Sequence, residues 1–157
     1  MRPLATAGAF VALLLCGAVA QAAEIIDRAF MVQLQDWRED GSDILTLDTT
    51  DVPYLPNSAC YFWRLRVADR GLLRFREVLR LPDAPDFIEG EDDPNATLEV
   101  SADRRSLTTE RFATPDAEGW LEHGWCLAEG DPLGDHRFEV TLDDGPAQIF
   151  DFEVVDP

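Results

Sequence analysis

Apolar and polar residues alternate with a period of two along most of this chain, and no apolar stripe of helical period follows the first twenty or so residues. Ile26, Phe30, Val32 and Leu34 share one face of a first predicted strand, and Asp43 to Leu47, "DILTL", forms a short second one. Tyr61, Trp63, Leu65 and Val67 line a third. Leu73, Phe75, Leu79 and Leu81 line a fourth, interrupted by Glu77, a carboxylate at a position that should face the core. Weaker strand patterns follow at Ala96 to Val100, around Leu107, and at Gly119 to Ala128. The pattern closes with a hairpin: Phe138, Val140 and Leu142 face one way, "DDGP" turns with Gly145 as the expected turn residue, and Phe150, Phe152 and Val154 return on the same face. Short strands punctuated by Pro and Gly predict an all-β protein, an antiparallel β-sandwich that is Ig-like in the loose sense.

The amino terminus breaks this pattern. Arg2 precedes the apolar run Ala7 to Ala20, "AGAFVALLLCGAVA", which is followed by small residues suited to cleavage after Ala20 or after Ala22. The run is shorter than a membrane span needs. The expected organisation is therefore a signal peptide over residues 1–22 and one β-sandwich domain over 23–157, located in the periplasm or secreted, with no stable membrane insertion after cleavage. Cys16 lacks the small preceding residue of a lipoprotein site, since Leu15 stands there.

Composition sharpens the picture of partners. The chain has 31 acidic residues against 13 basic ones, a net charge of −18, and every basic residue is arginine. Nucleic acid and anionic membrane surfaces are repelled overall by such a chain. Beyond the leader two cysteines remain, Cys60 and Cys126, and in an oxidising compartment an isolated pair of this kind is expected to form a disulfide. His123-Gly-Trp-Cys126 is only half of a zinc ligand set, so no metal is expected there. No P-loop, G-x-G-x-x-G, C-x-x-C or G-x-S-x-G motif occurs, and no cofactor is implied. Glu129, Asp131 and Asp135 do not have the spacing of an EF-hand loop. The run Asp83 to Asn95, "DAPDFIEGEDDPN", reads as a solvated loop.

The C-terminal third, with Trp125 followed by "EGDPLG", "HRFEV", "DDG" and "FDFEVV", resembles the closing strands of small secreted bacterial Ig-like β-sandwich proteins of unknown function. That resemblance implies architecture and secretion, and carries no catalytic residues.

One surface stands out. If "CYFWRLRV" and "LLRFREVLRL" form a hairpin through Asp69-Arg70-Gly71, residue 67 pairs with 73, 65 with 75 and 61 with 79. Arg64, Arg66, Arg74 and Arg76 then share the outward face with Phe62, and like charges opposed across strands need anionic company. That company is either internal, from residues such as Asp151 and Glu153, or an acidic envelope or secreted protein partner or anionic ligand docked there. The function expected on this basis is a non-catalytic binding or accessory module. The competing expectation is a metal-binding or hydrolytic envelope enzyme using His123 or His136 with nearby carboxylates. Trp120 and Trp125, five residues apart on one strand, should point to opposite faces and so cannot form one sugar-stacking platform.

Overall fold

The computed structural model describes residues 22–36, 43–68, 71–88 and 93–157, and among them the secondary structure is entirely β. The expected leader peptide and the Asp69-Arg70 turn lie outside the described residues, as does part of the acidic run after Ile88. No described helix is long and apolar enough to cross a membrane.

Ten strands build two layers: β1 (Ile25–Asp36), β2 (Asp43–Leu47), β3 (Asp51–Pro53), β4 (Ala59–Val67), β5 (Leu73–Arg80), β6 (Ala96–Val100), β7 (Ser106–Ala113), β8 (Trp120–Cys126), β9 (Gly134–Leu142) and β10 (Gln148–Val155). One sheet has the order β2-β1-β4-β8, and the other β3-β10-β9-β5-β7-β6. Pairing is antiparallel except where β3 runs parallel to β10. The all-β, Ig-like sandwich expected from the alternation is thus present, with one short parallel pair that the alternation did not signal.

Alternation works as predicted on most strands. Tyr61, Trp63, Leu65 and Val67 are buried on β4, and Phe75, Leu79, Phe138, Val140, Leu142, Phe152 and Val154 meet them from the other sheet. Phe30, Tyr61, Phe138 and Phe152 form an aromatic cluster with ring centroids 4.8 to 6.4 Å apart, inside the range where offset and tilted rings attract. At the start of β1 the register shifts between Ile25 and Asp27, and Ile26, expected on the inner face, is 58% exposed. The extra residue of a bulge reverses the alternation on one side of it.

The terminal hairpin of β9 and β10 forms with Phe138 opposite Phe150. Its turn differs in detail from expectation. Asp143 and Asp144 take the positive φ values, 45° and 62°, and Gly145 donates its N–H to the Leu142 carbonyl at 2.8 Å. Two left-handed central residues define the type I′ turn that matches strand twist, and aspartate tolerates that conformation. Gly145 serves close approach instead, because a Cβ there would stand 2.9 Å from the Leu142 oxygen.

The hairpin proposed between β4 and β5 does not exist. β4 pairs with β1 and β8, whereas β5 pairs with β7 and β9 in the opposite sheet. The apolar faces of the two strands meet across the core instead of lying side by side, as the edge-to-face contact of Trp63 with Phe75 at 5.2 Å shows. Alternation fixes which side chains turn inward, and both arrangements satisfy it equally.

Cys60 and Cys126 are bonded, joining neighbouring strands at their paired positions on the outer side of the smaller sheet. The bond closes a segment with a sequence separation of 66 residues. Replacing both cysteines by serine is expected to lower the unfolding free energy by about 4 kcal/mol, the chain-entropy value for a loop of this size. A urea midpoint unchanged by the double substitution would show that the cross-link adds nothing to the native state.

Candidate functional site

Glu77 explains itself once the sheets face each other. It lies inward on β5, is 0% exposed, and its carboxylate meets three ring nitrogens from the smaller sheet. Trp63 Nε1 donates to Oε2 at 2.5 Å, Trp125 Nε1 donates to Oε1 at 2.8 Å, and His123 Nδ1 lies 2.7 Å from Oε2. The register produces this convergence: Trp63 on β4 is paired with His123 on β8, and Trp125 stands two residues further along the same face. An ionised carboxylate only accepts, so in that state His123 Nδ1 carries the proton. Burying an isolated carboxylate is prohibitive, and three aligned donors are what make it tolerable.

Trp125 and His123 also line a cleft of about 360 Å³ between the sheets, beside strand β8 at the edge of the smaller one. Leu79 of β5, Leu107 of β7 and His136 of β9 come from the larger sheet, and Tyr61 comes from β4. The rim is formed by the segment after β5, with Leu81, Pro85, Phe87 and Ile88, and by the segment after β8, with Ala128, Asp131 and Pro132. The two rim segments are tied together where Asp86 N–H donates to the Gly130 carbonyl at 3.1 Å. Gly130 has φ +87°, and a Cβ there would fall 2.5 Å from the Asp86 Cβ, so only glycine allows the approach. The run expected to be a solvated loop is therefore, in its first half, a wall of the cleft.

The polar groups of the cleft are unequal. Burial, reinforced by the negative charges of Asp131 and Glu77, holds the Tyr61 hydroxyl far above the usual tyrosine range, so it remains an O–H donor. Burial pushes the Asp131 carboxyl up, against a single opposing hydrogen bond from Ala128 N–H to Oδ2 at 2.8 Å. His136 is pushed down by burial. Its Nδ1 lies 2.8 Å from the Gly134 carbonyl, and its ring stacks on Phe152 at 5.1 Å. A carbonyl cannot donate, so Nδ1 carries the proton and the neutral ring keeps Nε2 as an acceptor. The two histidines of the enzyme reading thus both border the cleft, each with Nδ1 committed to a structural bond. Among the described residues, no three His, Cys, Asp or Glu side chains are grouped so as to hold a metal ion.

The arginine surface expected from the sequence is divided. Arg64 and Arg66 project from the outer side of the smaller sheet with Phe62, whereas Arg74 and Arg76 project from the outer side of the larger one. The two pairs stand on opposite sides of the sandwich because β4 and β5 are in different sheets. Each arginine also has company from within the chain. Arg64 lies over the Trp120 ring at 4.6 Å, and its Nε is 3.0 Å from Glu122 Oε2 without the alignment of a hydrogen bond. Arg66 donates to the Glu118 carbonyl, Arg74 pairs with Asp144, and Arg76 pairs with Glu110. Asp151, expected as a counter-charge, pairs with Arg137 instead. Trp120 and Trp125 do face opposite ways, one under Arg64 and the other on Glu77.

Fold and site together define an immunoglobulin-like β-sandwich with an inter-sheet cleft. The chain belongs to the PM0630 β-sandwich domain family, whose pattern matches residues 31–155. In structure it is similar to an immunoglobulin-like protein, PA1606, from Pseudomonas aeruginosa, with a TM-score of 0.53 and 15% identity over 88% of this chain and 100% of the other. That likeness is one of fold. No curated protein matches the sequence.

Two outcomes test this description of the site. Glu77→Leu removes the acceptor of the buried Trp63 indole and of the half-buried Trp125 and His123 rings, and is expected to cost about 3 kcal/mol, the upper end for a buried donor left unsatisfied. Glu77→Gln, which keeps one acceptor oxygen, should cost less, and urea midpoints that do not separate the two would show that the carboxylate is not the acceptor described. His136 gives a pH effect whose sign follows from its depressed value. Below the ordinary histidine range, the unfolded chain takes up a proton that the buried ring refuses, so stability falls as pH drops from about 6.5 toward the folded value and then levels. Stability curves of the protein and of His136→Phe between pH 7.5 and 5 should therefore diverge, and parallel curves would contradict the assignment.

Proposed function

We propose that this protein is an extracytoplasmic, non-catalytic binding module whose ligand site is the inter-sheet cleft. The observation that carries the reading is the fixed base of the cleft: Trp125 and His123 border it and are both held by the buried Glu77 carboxylate. Binding surfaces built on locked side chains avoid the ordering cost that flexible ones incur on association. Apolar walls with a few placed polar groups, and a volume at the small end of the usual range, describe a small-molecule site. Export is supported by the Arg2 and Ala7 to Ala20 leader pattern and by the disulfide, which suits an oxidising compartment. The docking of an acidic partner on an arginine face is replaced by this reading, because the four arginines are split between two surfaces and three of them sit against carboxylates of the chain itself.

The test uses the full chain expressed with its own leader, recovered from the periplasm with ¹⁵N labelling, and screened against small-molecule fragments. Chemical-shift changes should collect around Leu79, Leu107, Trp125 and Asp131. Retention in the cytoplasm with the leader uncleaved would overturn the export half of the proposal. Shifts scattered over the outer faces would overturn the cleft.

A further inference from the structure

We infer that the cleft selects a small organic cation, an ammonium group carried on an apolar body, with Asp131 as its counter-charge and the rings of Trp125 and Tyr61 beside it. The inference rests on the cleft being the ligand site, and it adds the sign and chemical class of the ligand.

Charge is the first argument. Asp131 lines the cleft, half-buried, with one side-chain hydrogen bond from Ala128 N–H and no ion pair among the described residues. Each of the outer-face carboxylates Glu110, Glu122, Glu139, Asp144 and Asp151 sits against an arginine. Among the described residues no arginine lines the cleft, so its carboxylate is left for a cation from outside. A net charge of −18 draws cations toward the protein and repels anions.

The second argument is the character of the walls. Trp125, Tyr61 and Phe87 present aromatic surface to the cleft, and the negative face of such a ring attracts a cation most strongly where water is excluded. Leu79 and Leu107 supply apolar contact for the body of the ligand. A free metal ion would find one carboxylate beside two histidine rings whose Nδ1 atoms are already committed, and among the described residues no three His, Cys, Asp or Glu side chains group to hold it. A diffuse ammonium with an apolar substituent satisfies both halves of the lining. The volume of about 360 Å³ commits the site to a free small molecule over a folded partner.

Three probes of one shape test the inference: 2-phenylethylammonium, 2-phenylethanol and phenylacetate, titrated at pH 7.5 and low salt with detection by ¹⁵N shifts and tryptophan fluorescence. The ammonium should bind at least roughly tenfold tighter than the alcohol, and the carboxylate weakest. Asp131→Asn keeps an oxygen for the Ala128 N–H and should bring the ammonium to the affinity of the alcohol while leaving the alcohol unchanged. Equal affinities, a preference for phenylacetate, or a cation preference that survives Asp131→Asn would overturn the inference while leaving the cleft as a binding site. Failure of all three probes to shift cleft residues would overturn both.

Discussion

The carboxylate of Glu77 is the point on which the two sheets are set against each other. Hydrophobic contact between sandwich faces is non-directional, and many small slides of one layer over the other would bury similar area. A buried acceptor with three directional donors allows few such slides. β5 supplies the acceptor from a central position in its sheet, while β4 and β8 supply the donors from the other. The relative placement of the layers is thereby tied to the orientation of Trp63, His123 and Trp125. Because two of these three border the cleft, the device that aligns the sheets also shapes the site.

Strand β8 shows how this is reinforced. It is an edge strand, and edge strands are prone to slip or to pair with other chains. Here it is held on both faces. Cys126 bonds it to β4 on the outer side, and His123 and Trp125 bond it to β5 across the core. A slip of one residue would turn Trp125 outward and separate the cysteines, so the two restraints specify the same register. Gly124, between them, lets β4 come close, since a Cβ there would fall 2.1 Å from the Tyr61 carbonyl oxygen. The edge that frames the cleft is therefore among the most restrained parts of the smaller sheet.

What could be read from the chain follows the physics of a period-two pattern. Inward and outward assignments on β4, β9 and β10 came directly from alternation, as did the opposed faces of Trp120 and Trp125; on β5 the pattern fails at Val78, which was expected outward and exposed and is buried. The cysteine pair followed from its number and from the oxidising compartment that the leader pattern led one to expect. β3 escaped notice because three residues ending in Pro53 carry no period, and its buried Val52 is a single position. Ile26 was misplaced because a bulge leaves no mark in the pattern. Glu77 was visible as a violation of the core face, yet its meaning was hidden, since its donors lie 14, 46 and 48 residues away. Inward-facing Trp63, His123 and Trp125 were the available signal, because a buried carboxylate demands donors, and aromatic N–H groups on core faces are the ones that can reach it.

The mistaken hairpin had the largest functional consequence, and its cause is general. Two consecutive amphipathic strands bury their apolar faces equally well as neighbours in one sheet or as opposites across a sandwich. The first arrangement gathers their outward arginines into one basic surface; the second sends them to opposite sides of the molecule. Here it is the second: on one side Arg64 meets Glu122 while Arg66 donates to the Glu118 backbone carbonyl, and on the other Arg74 and Arg76 meet Asp144 and Glu110. Exposed pairs of this kind add little to stability, but they offset positive charge on both outer faces. The same crossing carries Leu79 and Leu81 over to face the β8 edge, opening the cleft that Asp131 borders. One choice of strand partner thus divides the arginines between two faces and opens a concavity bordered by a carboxylate, which is why the proposed ligand is a cation.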